Sequence, residues 1–184
     1  MPASLVFTDP GLTRFNELDA AAAREALRAC CAAARWVEEL ASARPYPDRA
    51  ALRARADAAL AALTWDDIAE ALAAHPRIGE RARGTDRAAA WSRGEQASAA
   101  SASDAVQAEL ASGNAEYERR FGHVFLIRAA GRDAPRILDA LRTRLGNDPA
   151  AEREVVRAEL GGIAWLRLER LLDDAAGTAG AGGR

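Results

Sequence analysis

Only two histidines occur in the chain, and one of them, His75, stands directly before a proline in His75-Pro76-Arg77-Ile78-Gly79-Glu80. An imidazole is the side chain best suited to move a proton near neutral pH. The residue before a proline is pushed out of helical geometry, so His75 is expected to close a helix and face a loop that a ligand can reach. Taken alone, such a histidine is more often a turn residue than a catalyst. A second polar group, Ser92-x-x-Glu95-Gln96, follows a stretch punctuated by Gly79 and Gly84. Ser92 and Glu95 have the spacing of a capping box, in which both satisfy amides at a helix start. The same helix start would favour a small anion through its exposed amides. Gln96 carries an amide that donates and accepts, which suits a ureido group or simply a helix surface. Arg167 recurs with Leu160, Ile163 and Leu171 on the apolar stripe of a helix. An inward guanidinium needs an anionic partner, either a ligand carboxylate or a structural ion pair.

What is absent narrows the chemistry. The chain has no lysine, so all 25 of its Lys+Arg cations are arginine. That excludes Schiff-base catalysis, lysine-anchored pyridoxal phosphate and the P-loop motif. With His75 and His123 the only histidines and no Cys-x-x-Cys, a zinc site would have to draw on carboxylates, and no metal-ligand cluster stands out. No G-x-G-x-x-G turn is present. The net charge of -2 argues against nucleic-acid binding. Arg83, Arg87 and Arg93 lie among alanines without aromatic interleaving, as on a solvated face. Adjacent Cys30 and Cys31 diverge on a helix, cannot pair without strain and suit core filling in a reduced setting. His123, beside Gly122, fits a loop or cap, and Trp36, Trp65, Trp91 and Trp165 fit packing anchors.

The elements that must position these groups are helical. A chain of 184 residues, 49% hydrophobic and 28% charged, has the composition of one globular core, and no apolar run is long enough to cross a bilayer. The segment from Met1 to Phe15 lacks secretory features, so a cytoplasmic location is expected. Apolar spacings of three and four predict one helix from Leu18 to about Ala41 and another from about Asp48 to Leu63. Thr64 resembles an N-cap with Asp67 as its box partner, opening a helix that stops at His75. The alanine-rich stretch from Arg87 to Ala111 favours helix, interrupted by Ser98, Ser101 and Ser103. A helix over Asp104 to Phe121 is expected to break or bend near Ser112-Gly113 and to end at Gly122. Val124 to Ile127 has no second strand to pair with and is expected to be a buried extended or helical piece. Pro135 and Gly146 bracket the next helix, and Asp148-Pro149 opens a last one reaching about Leu172. The expected organisation is a single-domain, all-α helical bundle over residues 1–174, with a disordered glycine- and alanine-rich tail over residues 175–184.

Several separated segments share an order and spacing: Phe15-Asn16-x-Leu18, Cys30-Cys31-x4-Trp36-Val37, Arg44-Pro45-Tyr46, Glu70-Ala71-Leu72-x-x-His75-Pro76-Arg77-Ile78-Gly79-Glu80, Ser92-x-x-Glu95-Gln96, Asn114-x-x-Tyr117-x3-Phe121-Gly122-x-x-Phe125, and Leu166-Arg167-Leu168. Over nearly the whole chain this pattern resembles the 2-oxo-4-hydroxy-4-carboxy-5-ureidoimidazoline (OHCU) decarboxylases of urate breakdown. The resemblance implies an all-helical bundle, a homodimer, and a carboxy-lyase that needs no cofactor or metal and turns its small ureide substrate into (S)-allantoin and carbon dioxide. It places His75, Glu95 and Arg167 at catalytic positions and Pro76, Ser92, Gln96 and Phe125 at substrate-binding ones. His75 would act on the 4-hydroxyl proton, Glu95 would position or share that transfer, and Arg167 would orient anionic or carbonyl groups. Ser92 and Gln96 would hold the ureido arm. Arg128 departs from the small or neutral residue expected at its position. The C-terminus carries no peroxisomal signal, which again points to the cytoplasm. Two other classes compete: a non-catalytic helical module binding a ureide or small carboxylate, and a structural protein whose polar clusters are only caps and ion pairs.

Overall fold

A computed structural model describes residues 9–80 and 84–177, among which there is no strand. The helices run α1 (Pro10–Glu17), α2 (Ala20–Cys30), α3 (Ala34–Ser42), α4 (Arg49–Ala61), α5 (Trp65–Ala73), α6 (Arg87–Glu95), α7 (Ala97–Ala100), α8 (Asp104–Phe121), α9 (Ala134–Arg144) and α10 (Pro149–Gly177). Most starts are set locally. Asp9, Asp19, Asp48, Asp86 and Asp133 each accept a first-turn amide that the helix itself leaves unpaired. Thr64 and Asp67 form the expected capping box of α5, and Gly122 ends α8 in the left-handed region at φ 79°.

The single helix expected over Leu18 to Ala41 is instead two. Cys31 is extended, at φ -150° and ψ 123°, and the Glu70 carboxylate of α5 accepts the Ala34 amide at 2.9 Å. A residue distant in sequence thus caps α3, where its own N-cap, Ala33, has no side-chain acceptor. The break expected at Ser112-Gly113 does not occur. A Cβ on Gly113 would lie 2.6 Å from Leu141 Cδ2, so this glycine lets α9 approach an unbroken α8. The last helix runs five residues past Leu172 to Gly177, and the carbonyl of Ala175 accepts from Arg14 at 2.7 Å. Residues 178–184 of the expected tail lie outside the described residues. Helix α1 was not expected, although Asp9-Pro10 repeats the start signal of Asp148-Pro149.

At 29 residues α10 is about 43 Å long, and α1, α2 and α4 pack against it. Its approach to α1 depends on Gly11, where a Cβ would fall 2.0 Å from the Leu172 carbonyl oxygen. Backbone cannot yield as a side chain can, so Gly11→Ala is expected to cost about 1–3 kcal/mol, read as a lowered urea midpoint at unchanged slope.

Among the described residues, two apolar clusters divide the interior. One joins α1 to α5 with α10 through residues such as Leu27, Trp36, Ile68 and Leu160. The other gathers Ile78, Leu110, Tyr117, Ile137 and Leu141 around α8 and α9. Residues 124–127 run extended between them, and alternate side chains face opposite ways: Phe125 and Ile127 join the second cluster, Leu126 the first. Of the tryptophans only Trp36 is fully buried; Trp65, Trp91 and Trp165 pack half-buried against the first cluster. His123 packs edge-on against Trp65 and Tyr117, with ring centroids 5.2 and 5.4 Å away. Cys30 and Cys31 are buried free thiols in the core.

Candidate active site

Helix α5 cannot continue through Pro76, and the chain turns at His75. The His75 Nδ1–H donates to the Ala71 carbonyl at 2.9 Å. That bond leaves the lone pair of the neutral ring on Nε2, an atom that is itself buried and has no partner. Desolvation first, and the positive charge of Arg167 second, push the His75 pKa down to about 4. At neutral pH the ring is therefore a neutral imidazole holding an unused acceptor.

Three ties hold the loop after His75. Arg77 donates through Nε and Nη2 to Glu118 at 2.5 and 2.8 Å. Asn114 Nδ2 donates to the Ile78 carbonyl at 2.8 Å, and the Gly79 amide donates to Gln96 Oε1 at 3.2 Å. Gly79 sits at φ 87°, where a side chain would be strained. Because Gln96 accepts from the loop through its oxygen, its Nε2 is left to donate elsewhere.

Ser92 and Glu95 do not open a helix. The N-cap of α6 is Asp86, and both residues lie in its last half, so the capping-box reading and the anion site at that helix start are both overturned. Their spacing of three puts them on one helix face, where they meet Arg167. Arg167 Nε and Nη2 donate to the two oxygens of Glu95 at 3.1 and 2.8 Å. Nη2 also donates to Ser92 Oγ at 2.9 Å, and Nη1 to the Ala29 carbonyl at 3.2 Å. Arg170 adds a second guanidinium on Glu95 Oε1 at 2.9 Å. The Arg167–Glu95 pair is buried, with side chains 5% and 8% exposed. Glu95 makes no hydrogen bond to His75; the Ala71 carbonyl orients the ring instead.

His75, Pro76, Ser92, Glu95, Gln96, Phe125 and Arg167 all line one small cavity, whose remaining walls are Ile78, Leu126, Ile127, Ala129 and Ile163. It lies where the two apolar clusters meet. The extended wall has no strand beside it, and the amides of Phe125, Leu126 and Ile127 have no hydrogen-bond partner among the described residues. Arg128 is exposed, its side chain passing over Gly162 outside the cavity. A larger groove between α1, α2, α6 and the end of α10 contains no histidine. The unused acceptor therefore points to the smaller site.

Asn114, quoted above only as part of the spacing pattern, and Arg170 each hold a residue of the cavity in place, and Arg144 and Glu152 form a second buried ion pair behind the wall, at 2.8 Å through Nε and 2.5 Å through Nη2. Arg144 follows Ile137, Leu138 and Leu141 on an apolar stripe, the signal that singled out Arg167.

A family model described as OHCU decarboxylase matches residues 16–169. The chain belongs to the OHCU decarboxylase family. It is 31% identical over 152 residues to the uric acid degradation bifunctional protein TTL of Arabidopsis thaliana, covering 81% of this chain and 47% of that one. It is 37% identical over 102 residues to a 2-oxo-4-hydroxy-4-carboxy-5-ureidoimidazoline decarboxylase of Amia calva, covering 53% and 57%. The chain thus spans about half the length of the curated relatives it matches. A crystal structure of OHCU decarboxylase in the presence of (S)-allantoin superposes with a TM-score of 0.67 at 28% identity, over 79% of this chain and 96% of that one. An (S)-allantoin synthase structure shares the fold at 20% identity, with a TM-score of 0.64 over 87% and 53% of the two chains. The matched span, residues 16–169, contains all seven of the candidate residues that line the cavity.

Proposed function

We propose that the chain is a carboxy-lyase that converts 2-oxo-4-hydroxy-4-carboxy-5-ureidoimidazoline to (S)-allantoin and carbon dioxide without a cofactor. The observation that carries this reading is the buried, unpartnered Nε2 of a neutral His75, facing a cavity that also holds Gln96 and Arg167. As the bond to the carboxylate breaks, its electron pair enters the ring and is taken up toward the neighbouring imine. The 4-hydroxyl gives its proton to His75 Nε2 and becomes the product carbonyl, while the adjacent carbon gains a proton on one face. Gln96 Nε2 and the free amides of the wall suit the oxygens of the ureide, and Pro76, Phe125 and Ser92 bound the space it fills. Arg167 retains one N–H on Nη1 beyond the four given to Glu95, Ser92 and Ala29, enough for a single bond to a substrate oxygen. Glu95 serves by holding Arg167. In the same reading the protein is a cytoplasmic homodimer, which sedimentation and cell fractionation check; no described helix is long and apolar enough to cross a membrane.

Turnover followed by circular dichroism tests the assignment. Optically active (S)-allantoin formed with carbon dioxide release is expected, since spontaneous decay yields racemic product; racemic product at the uncatalysed rate overturns it.

The lowered His75 pKa gives the rate a defined pH dependence. kcat/KM is expected to stay level through neutral pH and to fall as pH drops through about 4, where Nε2 takes a proton. Stability follows the same sign. Between the ordinary value of 6.5 and about 4 the unfolded chain binds a proton that the folded ring does not, so this contribution is complete above 6.5 and is lost as pH falls toward 4.

Among the described residues no three His, Cys, Asp or Glu side chains come together to hold a metal ion. Dialysis against a strong chelator is expected to leave the rate unchanged. Activity restored only by added zinc, manganese or iron would overturn the cofactor-free reading.

A further inference from the structure

An extended segment normally keeps its register through a neighbouring strand, and residues 124–127 have none among the described residues. What holds them comes from two carboxylates of α10. Glu152 is fully buried and takes Arg144 Nε and Nη2 at 2.8 and 2.5 Å, Asn147 Nδ2 at 2.7 Å, and the Tyr117 hydroxyl. Arg144, so held, donates through Nη1 to the Leu126 carbonyl at 2.7 Å and lies over the Phe125 ring, 4.6 Å from its centroid. Glu159 accepts the Arg128 amide directly at 2.7 Å, and its other oxygen faces Arg132 at 3.5 Å. The two attachments bracket Ile127. A slip of one residue between them would turn Leu126 toward the face now occupied by Phe125 and Ile127.

Glu152, Glu159 and Arg167 follow one another on α10 at intervals close to two helical turns, so they share a face along about 22 Å of a single rod. The distance from the wall to the cavity guanidinium is therefore set by a rigid helix. We propose that Glu159, together with the Arg144–Glu152 pair, is a positioning residue for the decarboxylation, holding the register of the wall against which the ureide lies. This inference rests on the reading given under Proposed function.

Removing Glu152 or Arg144 would strand a buried charge and threaten the fold, so the test uses Glu159, whose side chain is 18% exposed. In the full chain, Glu159→Ala is expected to raise KM about tenfold, the loss of one charge-assisted hydrogen bond. kcat should fall by less than about threefold, because His75 is held from Ala71 independently of the wall. Glu159→Gln keeps an acceptor for the Arg128 amide and should recover most of the KM. Unchanged KM in Glu159→Ala, or an equal loss of kcat and KM in both variants, overturns the proposal. A wild-type protein without turnover would instead sink the functional reading. Calorimetric affinity for (S)-allantoin then decides the positioning role: about tenfold weaker in Glu159→Ala and restored in Glu159→Gln supports it, and equal affinities in all three overturn it.

Discussion

His75→Asn is expected to lower turnover about a hundredfold to ten-thousandfold while leaving the helical spectrum unchanged. The asparagine amide can still donate to the Ala71 carbonyl that receives Nδ1–H in the native protein. The end of α5 should therefore keep its shape while the proton acceptor disappears. The ring is desolvated with an unpartnered Nε2, which in the proposed reaction takes the hydroxyl proton, and no other histidine lines the cavity to replace it. Single-turnover decarboxylation, set beside thermal unfolding of the same variant, separates chemistry from folding. A near-native rate in His75→Asn removes the proposed mechanism.

Glu95→Gln is expected to lose both activity and stability. Its spacing from Ser92 suggests a capping box, which glutamine would preserve, yet the carboxylate is the buried counter-charge of Arg167. Neutralising it leaves a desolvated guanidinium uncompensated, at a cost of about 3 kcal/mol. Arg167 should then shift, and a displacement of even about 1 Å at a reacting site can cost a hundredfold in rate. Arg170→Gln removes only the outer, 35%-exposed partner and should cost less than about 1 kcal/mol. Denaturant melts and single-turnover rates on both variants check this. A Glu95→Gln protein that is destabilised but turns over at the native rate would confine Glu95 to a structural role.

Much of the secondary structure is legible because helix starts are decided within one turn. The Thr64–Asp67 box and the stop at Gly122 can be read from neighbouring residues alone, since the groups that satisfy the free amides and carbonyls are adjacent in sequence. The start of α1 was equally legible in Asp9-Pro10. The interruption at Cys31 was not, because Glu70 caps α3 from another helix. Continuity through Ser112-Gly113 was hidden for a related reason: that glycine answers to Leu141 of α9 rather than to its own helix.

The sequence by itself determined the chemical inventory: one histidine at a helix end, no lysine, arginine as the only fixed cation, and polar groups spaced to share helix faces. It also determined an all-helical fold, since apolar periodicity and capping act over short stretches of chain. Tertiary structure alone decided what those groups became. Arg167 meets Glu95 across 72 residues, and the extended wall is tied to Arg144 and Glu159. His75 becomes a neutral acceptor only because the packed bundle removes water from Nε2. Ion pairing and desolvation depend on which side chains burial brings together, and no spacing within one segment of chain encodes that.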